Sequence, residues 1–228
     1  MGKAEEWGIK AIAFDIDGTL YPKWQMDIRL AAASLLHLPF ALRYNGMRRR
    51  IRREDGLDER PIGSLEELRR RECRILYGTD DGLQDFIAKE TRVFRKPWEV
   101  LFRSIKPYPG MKDFMEEAFG KYRLAVLSDF PVGVKLKALG VEAFFEYIAS
   151  AEDYGHLKPS PVPFRAMLSK LGLAPAEVLY VGDSESKDIA GAHNAGLKSA
   201  LISTSQSKVY SIADIVFSSW DAFREELL

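Results

Sequence analysis

Six short apolar runs, each closed by a turn residue or an acid, constrain this 228-residue chain more than any other feature. They are KAIAFD (10–15), RLAVLSD (123–129), YIAS (147–150), VLYVGD (178–183), SALIS (199–203) and DIVFS (214–218). Runs of this length, rich in aliphatic and β-branched residues, read as strands. Helical patterns accompany them: GMKDFMEEAFGKY, GVKLKALG, PVPFRAMLSKLG, SKDIAGAHNAG and WDAFREELL, several closing on Gly as helix C-termini do. Strand alternating with helix predicts right-handed βαβ units. The expected fold is therefore α/β, a mostly parallel sheet flanked by helices on both faces.

The interval from 22 to 105 breaks that rhythm. It is helical throughout, with no convincing strand. SLEEL (64–68) opens with a capping box, Ser64 paired with Glu67, ahead of an Arg-rich polar helix. GTDDGLQDFIAKETRVF suggests another helix after Gly78, and YPG (108–110) marks the return to the α/β body. Charge divides at the same places. Residues 22–105 carry 18 basic and 13 acidic side chains, the rest 15 and 20. The expected organisation is an α/β core of residues 1–21 and 106–228 interrupted by a helical cap, 22–105.

Composition narrows the partners. A 46% hydrophobic and 11% aromatic chain holds a real core. Lys+Arg and Asp+Glu both number 33, which favours no polyanionic partner. The longest apolar run, LAAASLLHLPFAL (30–42), contains a His and a Pro and is too short to span a bilayer. MGKAEEWGIK lacks a signal-peptide core, and one cysteine, Cys73, rules out an internal disulfide. The expectation is a soluble cytoplasmic protein, monomer or homodimer, with no nucleic-acid or membrane partner. The cluster RRRIRR (48–53) is followed at once by acids in EDGLDE, and helical spacing spreads its arginines around the axis. It reads as a solvated face. His37, His156 and His193 show no metal-ligand spacing.

The chemistry gathers where strands end. In AIAFDIDGTL (11–20), Asp15 and Asp17 lie two residues apart, a spacing that points both the same way in a strand. Gly18 permits a sharp turn and Thr19 a local hydrogen bond. Open α/β sheets bind ligands beyond the carboxyl ends of their strands. Adjacent carboxylates there repel and call for a positive partner such as a metal ion. Solvated acids at a surface strand end are the bland alternative, disfavoured by the apolar run before them and Gly-Thr-Leu after. VGDSESKD (181–188) repeats the logic: Asp183 offers a second strand-end oxygen, whereas Asp188 is equally well explained as helix capping. Ser128 ends a third strand, and Lys158 sits in the Pro-fixed loop HLKPSP.

In this order, Asp15-Ile16-Asp17-Gly18-Thr19-Leu20, Ser128, Lys158-Pro159, and Gly182-Asp183 with Asp188 resemble the four motifs of the haloacid dehalogenase-like hydrolase superfamily. The resemblance covers the whole chain and implies a Rossmann-like core with an inserted helical cap. It further implies that Asp15 is a nucleophile forming an aspartyl phosphate, and that Asp17 is the acid and base. Thr19, Ser128 and Lys158 would contact the phosphoryl group. Mg2+ would be bound by Asp15, the Asp17 main-chain carbonyl, Asp183 and Asp188. Asp17 favours phosphoryl transfer over dehalogenation, which has no leaving alkoxide to protonate. Asp129 departs from the Asn common after the second-motif hydroxyl. It is a candidate substrate contact that is expected to turn toward something else. Hydrolysis of a small phosphorylated metabolite is the expected reaction. A phosphomutase and a non-catalytic or phospho-accepting protein on the same scaffold are the alternatives.

Overall fold

The computed structural model describes residues 2–34, 37–55, 60–203 and 212–228. Within them every expected strand forms: β1 (Ala11–Phe14), β2 (Arg123–Ser128), β3 (Tyr147–Ser150), β4 (Val178–Gly182), β5 (Lys198–Ile202) and β6 (Ile215–Phe217). All pair in parallel in the order β3-β2-β1-β4-β5-β6. The chain steps outward from β1 to β3, then crosses back to β4 on the other side of β1. This Rossmann-like order reverses direction at β1, so the carboxyl ends of β2, β1 and β4 border one crevice.

A short helix, α1 (Lys3–Glu6), precedes β1 and was not anticipated. Between β1 and β2 come α2 (Trp24–Ser34), α3 (Leu38–Asp55), α4 (Leu65–Tyr77), α5 (Leu83–Glu90) and α6 (Lys96–Leu101). The remaining helices are α7 (Met111–Ala118), α8 (Gly133–Leu139), α9 (Pro161–Leu171), α10 (Ala190–Asn194) and α11 (Trp220–Leu227). Leu35 and Leu36 of the long apolar run, and Asp58 and Glu59 of the acidic run after the arginines, lie outside the described residues. No described helix is long and apolar enough to cross a membrane.

The alternation in β1 decides how the sheet is covered. Ile12 and Phe14 face one side with Met111, Phe114, Leu136, Trp220 and Phe223, so bulky side chains fill the space under α7, α8 and α11. Ala11 and Ala13 face the other with Ala125, Ala149, Phe164, Met167 and Ala192, under α9 and α10. Every residue of β1 and β4 is buried, as a central parallel strand requires.

The inserted helices have their own cluster, Phe40, Tyr44, Met47, Ile51, Leu68, Cys73, Leu83, Phe86 and Val93, joined by Leu157 from the α/β part. The expected capping box opens α4: the Glu67 N–H donates to Ser64 Oγ at 3.2 Å and the Ser64 N–H to Glu67 Oε2 at 2.7 Å. Where the insert leaves and rejoins the core, the chain is stapled. Gln25 Nε2 donates to Lys106 O at 3.0 Å, the Lys106 N–H donates to Gln25 Oε1 at 3.0 Å, and the Tyr108 N–H donates to Leu20 O at 3.0 Å.

The arginine cluster is not uniformly solvated. Arg49, Arg50 and Arg53 are exposed, but Arg48 is buried and Arg52 half-buried. Arg48 Nη1 pairs with Glu152 Oε1 at 2.6 Å and Glu72 Oε1 at 3.0 Å. Arg95 Nη2 bridges Glu90 Oε1 and Glu152 Oε2, each at 3.0 Å, and Arg69 Nη1 pairs with Glu90 Oε2 at 2.7 Å. Three arginines thus interlock with three glutamates, of which Glu72 is pushed up to about 7 by burial. Glu152, one residue past the Ala151 that follows β3, ties the network to the α/β part. The sequence pattern missed this because the acids that bury Arg48 come from α4 and from beyond β3, remote along the chain.

Candidate active site

The first site carboxylate continues the sheet. The Asp15 N–H donates to Val181 O at 2.9 Å, so its side chain emerges at the rim between β1 and β4. The chain then turns: the N–H groups of Thr19 and Leu20 both donate to Ile16 O, at 3.2 and 3.0 Å. Gly18 makes that turn at φ +95°, and a Cβ there would overlap Asp183 Oδ2. Only glycine satisfies both the backbone and the close approach of the two motifs.

Lys158 is the hub. Its buried ammonium donates to Asp15 Oδ1 and Asp188 Oδ1, both at 2.6 Å, and to the Tyr180 hydroxyl at 3.0 Å. Tyr180 in turn donates to Leu127 O at 2.6 Å, which fixes the ring from β4 against β2. Burial alone would favour a neutral amine. The carboxylates of Asp15 and Asp188 outweigh it and hold Lys158 charged, well above the usual lysine range. Burial pushes Asp15 the other way, raising its carboxyl despite the Lys158 ammonium.

Asp15, Asp183 and Asp188 present oxygens within 4.8 Å of one another. Burial, and then the charges of Asp188 and Asp15, push Asp183 up to about 7. Three carboxylates against one ammonium leave two negative charges in excess. An all-oxygen donor set with that excess suits a hard divalent cation, so the residues fit magnesium. Asp188 also accepts the Ser184 N–H on Oδ2 at 3.0 Å, so its capping and charge-bearing readings coexist.

Asp17 lines the same small cavity, about 80 Å3, as Asp15, Ser128, Asp129 and Lys158. Its side chain lies apart from the three-carboxylate cluster. Tyr21 OH donates to Asp17 Oδ1 at 2.6 Å and the buried Lys135 of α8 pairs with Oδ2. Burial would raise this carboxyl, but Lys135 prevails and keeps it ionised, below the usual range. Thr19 Oγ1 and Ser128 Oγ are buried and have no hydrogen-bond partner among the described residues. Two such hydroxyls close to Asp15 are costly unless a ligand oxygen meets them.

Asp129 turns to the inserted helices. It accepts the Lys158 N–H on Oδ1 at 2.9 Å and pairs through Oδ2 with Arg52 of α3. Burial is outweighed by Arg52 and Lys158, and its carboxyl stays well below the usual range. Arg52 also donates to Lys158 O at 2.8 Å.

Sequence reasoning missed Lys135, Tyr180 and Arg52. Tyr180 carried a signal, being the one hydroxyl-bearing residue inside an otherwise apolar strand. Lys135 carried none, since a lysine in a short amphipathic helix reads as solvated. Here it is 3% exposed and lies 4.4 Å from the Trp98 ring centroid of α6.

Residues 9–196 match the family model described as haloacid dehalogenase-like hydrolase. A glyceraldehyde 3-phosphate phosphatase of Methanopyrus kandleri is 32% identical over 83% of this chain and 82% of its own length. A phosphoglycolate phosphatase of Aquifex aeolicus is 31% identical over 85% and 84%. Among solved structures, a phosphatase from Thermococcus onnurineus superposes with a TM-score of 0.62 at 24% identity, over 95% of this chain and 97% of that one. A 2-haloacid dehalogenase from Pseudomonas syringae gives 0.64 at 22%, over 96% and 97%, so the fold alone is indifferent to the chemistry.

Proposed function

Because the chain belongs to the haloacid dehalogenase-like hydrolase family, we propose that it is a magnesium-dependent phosphatase acting on a small phosphate monoester through an aspartyl-phosphate intermediate. The observation that carries this reading is the gathering of Asp15, Asp183 and Asp188 oxygens within 4.8 Å of one another, with the buried Lys158 ammonium on Asp15 and Asp188. Phosphatase names among relatives matching most of the chain support the reaction class. The reading takes residues 22–105 as a cap that shields the crevice.

Asp15 Oδ attacks phosphorus while Lys158 offsets the charge of nucleophile and phosphate together. Thr19 and Ser128 donate their unused hydroxyls to phosphoryl oxygens. Asp17 is ionised in the free protein. Negative charge arriving with the phosphate opposes Lys135, so that Asp17 takes a proton more readily and can pass it to the leaving oxygen. In the second half Asp17 removes a proton from the water that hydrolyses the acyl phosphate. Magnesium would be held by Asp15, the Asp17 carbonyl, Asp183 and Asp188, and supplies charge neutralisation of the phosphoryl group.

The test is phosphate release from a panel of small phosphate monoesters, with magnesium and with a chelator, for the wild type and Asp15→Asn. Turnover is expected only with the cation and falls by at least ~10³-fold in the variant. Activity that survives Asp15→Asn refutes the nucleophile.

A further inference from the structure

The catalytic cavity is only about 80 Å3, the size of a few water molecules. A larger open groove of about 810 Å3 adjoins it, and Arg52 and Lys187 line both. The groove runs between α3 and the turn after β4. Its walls carry Arg49, Arg52 and Arg53 from one helix face and Lys187 from the other side, with Pro159 and Ser186 between and no acidic side chain among the described residues that line it.

The contrast with the neighbouring arginines is the informative part. Arg48 pairs with Glu72 and Glu152, Arg50 with Glu54, and Arg52 with Asp129. The side chains of Arg49 and Arg53 have no hydrogen bond or ion pair among the described residues. Lys187 acts on Asp15, Asp129 and Asp183, which leaves Arg49 and Arg53 as the cations that face the groove with no acidic partner among the described residues. A concave surface lined by one sign of charge focuses its field on an incoming anion.

We propose that this groove is a subsite for a second anionic group on the substrate, a carboxylate or a second phosphate, which Arg49 and Arg53 recognise while the reacting phosphate sits at Asp15. The proposal rests on the phosphatase reading above and deepens it. It makes a phosphorylated acid or a bisphosphate the preferred class, and a phosphorylated aldehyde or alcohol a poor substrate. Arg52 divides the two compartments: it serves the groove with one edge while Asp129 anchors it.

The test compares ester pairs that differ in distal charge: 3-phosphoglycerate against glycerol 1-phosphate, and fructose 1,6-bisphosphate against fructose 6-phosphate. The readout is the ratio of kcat/KM within each pair. In the wild type the anionic member is expected to win by at least about tenfold, and Arg49→Gln/Arg53→Gln lowers that ratio by about tenfold, mainly through KM. Arg49→Lys/Arg53→Lys restores most of the preference, and added salt weakens it. The pair that holds the larger ratio identifies carboxylate or phosphate as the source. A wild-type ratio near one, or a ratio unmoved in the Gln variant while phosphate is still released, overturns the subsite and leaves the phosphatase standing. A 5′-phosphorylated oligonucleotide preferred over every small substrate also overturns it, assigning the groove to a polynucleotide. No phosphate released from any ester removes the phosphatase reading, and the subsite with it.

Discussion

Glu152→Gln isolates the cost of unbalancing the polar network between the inserted helices and the α/β part. The wild-type set holds three arginines and three glutamates, and Glu152 is 1% exposed with one oxygen on Arg48 and the other on Arg95. Glutamine keeps the volume and removes the carboxylate that Arg48 and Arg95 share. Removing one partner of a buried pair costs about 3–5 kcal/mol. Arg48 retains Glu72 and Arg95 retains Glu90, and the Arg95 side chain is 18% exposed, so the lower end, about 3 kcal/mol, applies. For a chain of this size each kcal/mol moves Tm by about 2–4 °C, giving a drop of about 6–12 °C. Thermal unfolding followed by circular dichroism at fixed magnesium measures it. Adding Arg48→Met removes one of the two cations that lose this carboxylate and should recover part of the loss, a coupling of about 1–3 kcal/mol in a double-mutant cycle. A Tm shift below about 2 °C in Glu152→Gln would refute the charge-balance argument.

Three further outcomes follow from the site. With burial, Asp188 and Asp15 pushing Asp183 up to about 7, the metal-free folded state binds a proton that the unfolded chain, with its ordinary 3.8, has released. Folded protein therefore holds more protons between about pH 4 and 7, and its stability falls as pH rises through that window. Magnesium held by Asp183 would displace that proton, so its gain in Tm should grow across the same window; a pH-independent gain defeats the assignment of Asp183 as ligand. Gly18→Ala places a methyl on Asp183 at a φ of +95°, and should cost at least about 100-fold in kcat/KM together with the magnesium-induced rise in Tm. Lys135→Met leaves Asp17 without its ammonium, and kcat should drop by about 10–100-fold with KM little changed. An unaltered kcat would remove Lys135 from the support of Asp17.

Local pattern told most about the elements whose partners are near in sequence or implied by symmetry of the fold. Every strand was visible because each is a short apolar run with a turn at its end. The placement of Asp15, Ser128 and Asp183 at one rim followed from those strands being parallel. The α4 start was legible in Ser64 and Glu67 because a capping box is a contact of residues three apart. Arg48 and Lys135 were opaque for the opposite reason. Each is a long cationic side chain on a helix whose surroundings look polar. What buries it is a carboxylate delivered from far along the chain: Glu152 lies 104 residues from Arg48, and Asp17 lies 118 from Lys135. Asp129 looked anomalous beside a phosphate site until its partner, Arg52 in the inserted segment, came into view.

The double hydrogen bond between Gln25 and Lys106, with Tyr108 answering Leu20, means that the inserted helices enter and leave through one narrow doorway. A segment whose ends meet is separable as a cassette. Exchange between residues 21 and 106 asks the sheet for no new crossing and no change of strand order. Any helical segment that evolution or an engineer places there must bring its own answer to Glu152 and Asp129, the two acids with which the present one is tied to the sheet.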